Sequence, residues 1–175
     1  MPTLQVQAAY SFYSRYILEY SRNKAEIYEQ YGFSLQGSVG SKDWEVFAAI
    51  LFNDKARRGD GADLENYEVK SATIGSSFEY QYHRNLGLKK LTEDRAVDHI
   101  FVAKSETYTN VEVWFVERTK MLPMFDKWLP ELQQNYATAE RQRFRRSVTY
   151  AFVKSQGVRV LEISDGELSH FLEVI

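Results

Sequence analysis

The chain has no cysteine, which removes disulfides and thiolate metal sites without by itself establishing a compartment. Its three histidines, His83, His99 and His170, are spread along the sequence without the spacing of metal ligands, so a zinc centre is not expected. No apolar run approaches the roughly 20 residues that span a bilayer, and no membrane partner is expected. The start, Met1-Pro-Thr-Leu-Gln-Val-Gln, lacks the basic and apolar blocks of a signal peptide, which leads to the expectation of a cytoplasmic protein. Neither a glycine-rich phosphate loop nor a nucleophile elbow is present, so no nucleotide cofactor is expected. Strong charge is missing too: a net charge of −2 is not that of a protein that coats nucleic acid without specificity, and any contact with DNA must be local. Repeats, low-complexity tracts and linkers are absent.

What remains is a chain of 175 residues, 44% hydrophobic and 26% charged, which is the composition of one globular domain able to bury a full core. Its 12 tyrosines, 11 phenylalanines and 3 tryptophans are scattered over the periodic segments, as core and interface residues are. From Val6 the apolar residues Ala9, Tyr10, Tyr13, Tyr16, Ile17 and Tyr20 follow the three-four alternation of a helix, which Gly32 ends, with room for a break near Ser21-Arg-Asn23. That tyrosine-rich face can pack on its own domain or on a second subunit. A second helix is expected with Ser41 as N-cap and Trp44, Phe47, Ala48 and Leu51 inside. Residues 89–95 read as a short helix or exposed loop, and Val97 to Ala103 and Val111 to Val116 as strands, the first central. Pro123 is expected at the first position of a helix carrying Met124, Trp128 and Leu132, kinked or divided at Pro130. Val148 to Lys154 and Val158 to Ile163 read as a hairpin around Ser155-Gln-Gly157, and Asp165 as the cap of a final short helix with Leu168, Phe171 and Leu172.

The chemistry concentrates between Gly59 and Ala72. Tyr67, Val69 and Ala72 favour a strand, on which Glu68 and Lys70, two apart, share a face. If Glu65-Asn66 is a two-residue turn, Leu64 pairs with Tyr67 and Asp63 faces Glu68 with Cβ atoms about 5 Å apart. Two carboxylates so placed repel unless a cation lies between them, and oxygen ligands without cysteine or histidine favour Mg²⁺, with Mn²⁺ as a substitute. An ammonium beside such an ion could position or help deprotonate a water, or stabilise charge on a phosphorane. Phosphodiester hydrolysis is the chemistry that this set serves.

Gly61-Ala-Asp63 and Glu68-Val-Lys70 resemble the two half-motifs of the PD-(D/E)XK nuclease superfamily, with a short linker and no proline. Asp60 is an alternative first carboxylate. The resemblance implies that Asp63, Glu68 and Lys70 are catalytic, that Asp63, Glu68 and Val69 hold the metal, and that Glu45, on the preceding helix, approaches a second one. The order and spacing of Tyr67-Glu-Val-Lys-Ser71, Ile100-Phe101, Asn110 to Arg118, Phe125-Asp-Lys-Trp128 and Val148 to Gly157 are similar to those of the PvuII-like branch of type II restriction endonucleases, from about Gly40 to Ile163. An α+β fold is implied, with a mixed central sheet flanked by helices. A helical dimerisation region of about residues 1–36, a catalytic core over 37–163 and an extension over 164–175 follow, as does a homodimer that cuts both strands of double-stranded DNA at a short palindrome.

Residues for reading DNA are expected in two stretches: Gln81, His83, Arg84 and Asn85 after the motif strand, and Arg141, Arg143, Arg145 and Arg146 in a loop before the late hairpin. Guanidinium groups suit guanine and phosphate, and amides suit adenine. The family's consecutive histidines are here Gln81-Tyr-His83, its asparagine-bearing loop is the arginine cluster, and its extra tyrosine near the metal has no match around Leu91-Thr92. A nicking or repair nuclease of the same fold, or a DNA-binding domain without catalysis, is the alternative.

Overall fold

A computed structural model describes residues 2–59, 61–137 and 142–175. The fold is α+β. Five strands form a mixed sheet in the order β1-β3-β4-β6-β7, made of β1 (Tyr67–Thr73), β3 (Asp98–Lys104), β4 (Val111–Val116), β6 (Val158–Ser164) and β7 (Glu167–Phe171). β1 runs parallel to β3, and every other pairing is antiparallel. A separate two-stranded ribbon joins β2 (Phe78–His83) to β5 (Arg143–Val148). Among the described residues no helix is long and apolar enough to cross a membrane.

The alternation of β3 explains why the sheet has a core on each side. Ile100 and Val102 face a cluster built with α1 (Val6–Phe12) and α3 (Ser41–Phe52), which also takes Tyr13, Ile17, Trp44 and Phe47. Phe101 and Ala103 face a second cluster that holds the ribbon's Phe78, Tyr80 and Tyr82 with Met121, Phe125, Trp128 and Leu132 of α5 (Arg118–Tyr136). Neighbours one apart on a strand project to opposite faces, so one apolar run fills both clusters.

The amino-terminal helix divides its tyrosines. Val6, Ala9, Tyr13 and Ile17 are buried in the chain's own core, while Tyr16 and Tyr20 remain exposed. Its irregularity is a π-helical segment at Tyr13–Leu18, earlier than a break at Ser21; α2 (Glu19–Gln30) continues through Ser21, whose hydroxyl donates back to the Leu18 carbonyl at 2.9 Å. Gly40, not Ser41, is the N-cap of α3, which shifts that boundary by one residue without changing its buried face.

Three segments depart from expectation for identifiable reasons. α5 starts at Arg118, five residues before Pro123, because Met121 extends the buried stripe and Asp98 accepts the Arg118 N–H at 2.8 Å, capping the helix from β3. Both prolines therefore sit inside it. Tyr150–Gln156 is a helix, α6, instead of a strand, since the Thr149 hydroxyl caps it by accepting the Phe152 N–H. Asp165 and Gly166 both have positive φ, 53° and 86°, the signature of a two-residue hairpin turn; Glu167–Phe171 is consequently a strand at the edge of the main sheet and not a helix.

His99 is the polar residue of the aromatic layer. It is wholly buried, its Nδ1 lies 2.8 Å from the Tyr80 hydroxyl, and its ring stacks on Phe101 and Phe125. Burial pulls its pKa down from 6.5 to about 4. Between those values the unfolded chain binds the extra proton, so this residue's contribution to stability falls as the pH drops through that window. The Asp94 carboxyl, which burial raises, acts in the opposite sense over an overlapping range. The informative quantity is thus a difference. Replacing Tyr80 and His99 together by Phe should gain up to about 3 kcal/mol relative to the parent as the pH is lowered from about 6.5 to about 4. Urea midpoints across that range measure it, and parallel curves would show that His99 is not held neutral.

Candidate active site

β1 carries Glu68 and Lys70 toward the aromatic cluster, beside His99 and Phe101 of β3. The segment before it is folded back more tightly than a simple hairpin. Leu64 N–H donates to the Tyr67 carbonyl at 2.9 Å, as a two-residue turn requires, yet residues 55–57 supply the strand-like partner, through Arg57 N–H to Asp63 O at 3.1 Å and Glu65 N–H to Lys55 O at 2.9 Å. Asp63 thereby arrives next to Glu68. Its backbone N–H donates to Glu68 Oε2 at 3.0 Å, and Val69 N–H donates to Asp63 Oδ2 at 3.2 Å. Gly61 in this loop has a φ of +147°, a conformation that side-chain-bearing residues rarely adopt, and a Cβ there would meet the Glu93 carboxylate.

The Glu68 carboxylate, with no exposed surface, is the centre of the arrangement. Lys70 Nζ donates to Oε1 and lies 3.8 Å from Asp63 Oδ2. Lys90, from α4 (Gly87–Asp94), also donates to Oε1 at 3.0 Å, and reaches the Gly61 carbonyl at 2.9 Å and Asp94 Oδ1 at 3.1 Å. The Tyr82 hydroxyl donates to the other Asp94 oxygen at 3.0 Å.

Burial alone would raise the Glu68 carboxyl; the two ammoniums outweigh it and hold the group well below the usual carboxylate range. Lys70 responds in kind, its pKa lifted against desolvation by Glu68 and Asp63. It is therefore a fixed cation and not a base. Asp63 moves upward, first through burial and then through the Glu68 charge, with Glu45 adding a smaller push in the same direction. An added cation would relieve this strain on Asp63.

Of the expected site residues, Asp63, Glu68 and Lys70 are brought together. Val69 enters through its backbone. Glu45 is close enough for Asp63 to feel its charge, but its carboxylate is paired with Lys42. Asp60 and Arg141 lie outside the described residues. Gln81 and His83 project from the polar face of β2, opposite Arg145 and Arg143 of β5. Arg84 joins the ribbon's end by its N–H to Gln142 O, and Asn85 lines a cleft of about 390 Å³ together with Gly61, Asp63, Gln81, His83 and Lys90. The arginine segment is thus a strand and not a loop. Arg146 lies on the other side of that strand from Arg143 and Arg145, over the Phe144 ring, with its guanidinium held by Glu131 at 2.7 and 2.8 Å.

Lys90 and Asp94 were missed. The signal was present, since Gly87, Leu91 and Asp94 trace the buried stripe of α4 and Lys90 falls on it, placing a charged pair four residues apart on an inward face. No family model matches the chain, and no curated protein matches it.

Removing one ammonium leaves two buried carboxylates undercompensated. Lys90→Met should cost about 3–5 kcal/mol in chemical denaturation, and combining it with Asp94→Asn should cost less than the sum of the two single changes. Additive losses would show that Lys90 and Asp94 do not act as a pair.

Proposed function

We propose that the chain is a divalent-metal-dependent nuclease of the PD-(D/E)XK type, acting on double-stranded DNA as a homodimer in the manner of a type II restriction endonuclease. The observation that carries this reading is the meeting of Asp63, Glu68 and Lys70 at the edge strand β1, beside a cleft that continues onto Gln81, His83 and Asn85. Two carboxylates and the Val69 carbonyl form an all-oxygen set, and Mg²⁺ binds through one or two carboxylates while keeping several waters. The upward push on Asp63 is what a donor awaiting a cation experiences. The residues fit the group.

Asp63 and Glu68, with Val69, would hold the ion, which would supply an activated water and charge neutralisation at the phosphoryl oxygens. Lys70, permanently protonated between the two carboxylates, orients the water by donation and stabilises the charge that accumulates on the phosphorus oxygens. Lys90 shares Glu68 Oε1 with Lys70, so Glu68 is held in a single orientation. The ribbon face bearing Gln81, His83, Arg143 and Arg145 suits a groove of duplex DNA, which admits a two-stranded ribbon. With Arg143 and Arg145 as charged contacts, affinity would depend strongly on salt.

One site cuts one strand, and a palindromic target asks for a second copy. Tyr16, Tyr20, Ile27 and Tyr31 form an exposed stripe along the amino-terminal helices, 45–68% accessible, where two copies can meet. A cytoplasmic location belongs to the same proposal.

Metal-dependent cleavage of plasmid DNA tests the reading. Asp63→Asn and Lys70→Met should each lower the single-turnover rate by at least about 100-fold while leaving DNA affinity within a few-fold. Sedimentation should give twice the 20.5 kDa chain mass. Wild-type protein that leaves DNA intact in both Mg²⁺ and Mn²⁺ would overturn the proposal; a monomer that only nicks would leave the chemistry and remove the dimer.

A further inference from the structure

We propose that a second site, on the opposite face of the sheet from Glu68, binds a phosphate group with Lys104 as its counter-ion. β1 and β3 are parallel and end side by side, with Thr73 in register with Lys104. Since Glu68 and Lys70 take one face, Ser71 and Thr73 follow Val69 onto the other, and Lys104 follows Ile100 and Val102. There they meet the amino end of α3 and the loop before it. The result is a cavity of about 280 Å³ lined by Ser41, Ser71, Thr73, Lys104, Ser105 and Glu106.

The Lys104 ammonium is the anomaly. It lies 5.6 Å above the Trp44 ring and makes no hydrogen bond or ion pair with any described residue. Burial alone draws its pKa down to about 8, and no carboxylate holds it up, Glu106 included. At neutral pH it is still mainly charged. A partly desolvated ammonium is ordinarily paired, because its lost hydration must be replaced. Glu106 lines the same cavity but makes no ion pair with Lys104, and no other carboxylate among the described residues does so either.

Several of the other lining side chains can donate: Gln36, Ser41, Ser71, Thr73 and Ser105. Thr73 Oγ1 already accepts from the Gln36 amide at 3.3 Å, which leaves its proton to give. The hydroxyls of Ser41 and Ser71 make no hydrogen bond among the described residues. Gly40 has no side chain with which to cap α3, so the N–H groups of Ser41 and Lys42 add to the donor set without defining the site. One ammonium, several hydroxyls and free amides are complementary to a tetrahedral oxyanion. Glu106, exposed and acidic, disfavours a bare anion near it and accepts from hydroxyl groups. A phosphate ester with a hydroxyl-bearing remainder therefore fits better than inorganic phosphate. The inference is independent of the nuclease reading, since no residue is shared between the two sites.

Titration of the full chain in metal-free buffer tests it, with inorganic phosphate, ribose 5-phosphate and adenosine 5′-monophosphate as separate probes. Amide NMR and calorimetry are the readouts. Saturable binding is expected with Kd on the order of millimolar or tighter, with the largest shifts at Ser41, Lys42, Thr73 and Ser105. Tighter binding of the esters assigns the site to a phosphorylated metabolite or nucleotide; equal or tighter binding of inorganic phosphate assigns it to the free ion. Lys104→Met should weaken binding about tenfold or more and Thr73→Val several-fold. The wild-type shifts stand as evidence even if a variant fails to fold. Linear, chloride-like drift with all three probes, shifts that map elsewhere, or undiminished affinity in a folded Lys104→Met protein would each overturn the proposal.

Discussion

The buried carboxylate of Glu68 ties together more of this molecule than any other group. Its two oxygens receive Lys70 of β1, Lys90 of α4 and the backbone N–H of Asp63, and through them the strand, the helix and the folded-back loop are held in one arrangement. Lys90 carries the connection to Asp94, and Asp94 to Tyr82 of the ribbon. Desolvating so many charges is costly, and the mutual attraction offsets that cost because each oxygen of Glu68 and of Asp94 receives a donor. An apolar cluster in the same volume would serve stability as well or better. Charges gathered beside a cleft with shifted ionisation are a common feature of functional sites, which is how this network supports the proposed nuclease reading.

Position in the sheet matters as much as the charges. β1 is an edge strand of the five-stranded sheet, and the ribbon of β2 and β5 stands apart from that sheet. A cleft opens where the two systems approach each other, and it joins Asp63 and Lys90 to Gln81, His83 and Asn85. The ribbon owes its two-faced character to simple alternation: Phe78, Tyr80, Tyr82 and Phe144 bind it to α5, and the intervening residues are left as a polar surface. Because β1 is parallel to β3, the same strand pair delivers a second polar grouping on its reverse face, where both strands end near α3.

Some of this was readable from the residues alone. That Glu68 and Lys70 share a face follows from the two-residue period of any strand, and that Trp44, Phe47, Ala48 and Leu51 turn inward follows from the helical period; both are properties of the local backbone. The meeting of Asp63 with Glu68 was also legible, although the pairing that brings it about runs through residues 55–57. Local chemistry was under-read in two places. Asp165-Gly166 is a hairpin signal and Thr149 a capping residue, and in both cases the apolar residues that followed suggested the opposite element.

Other features were decided by partners distant in sequence. α5 begins at Arg118 because Asp98, twenty residues earlier, caps it; Arg146, turned to the Phe144 side by strand alternation, finds Glu131 of α5 there; and Lys104 meets the Trp44 ring but no carboxylate among the described residues. Lys90 joined the site only when α4 packed against the loop at Gly61. The sequence by itself determined which side chains share a strand or helix face, since that depends on backbone periods and on nothing farther away than a few residues. The tertiary structure alone decided which charges met, because Coulomb attraction and desolvation depend on distance in space and on the water excluded by the whole fold.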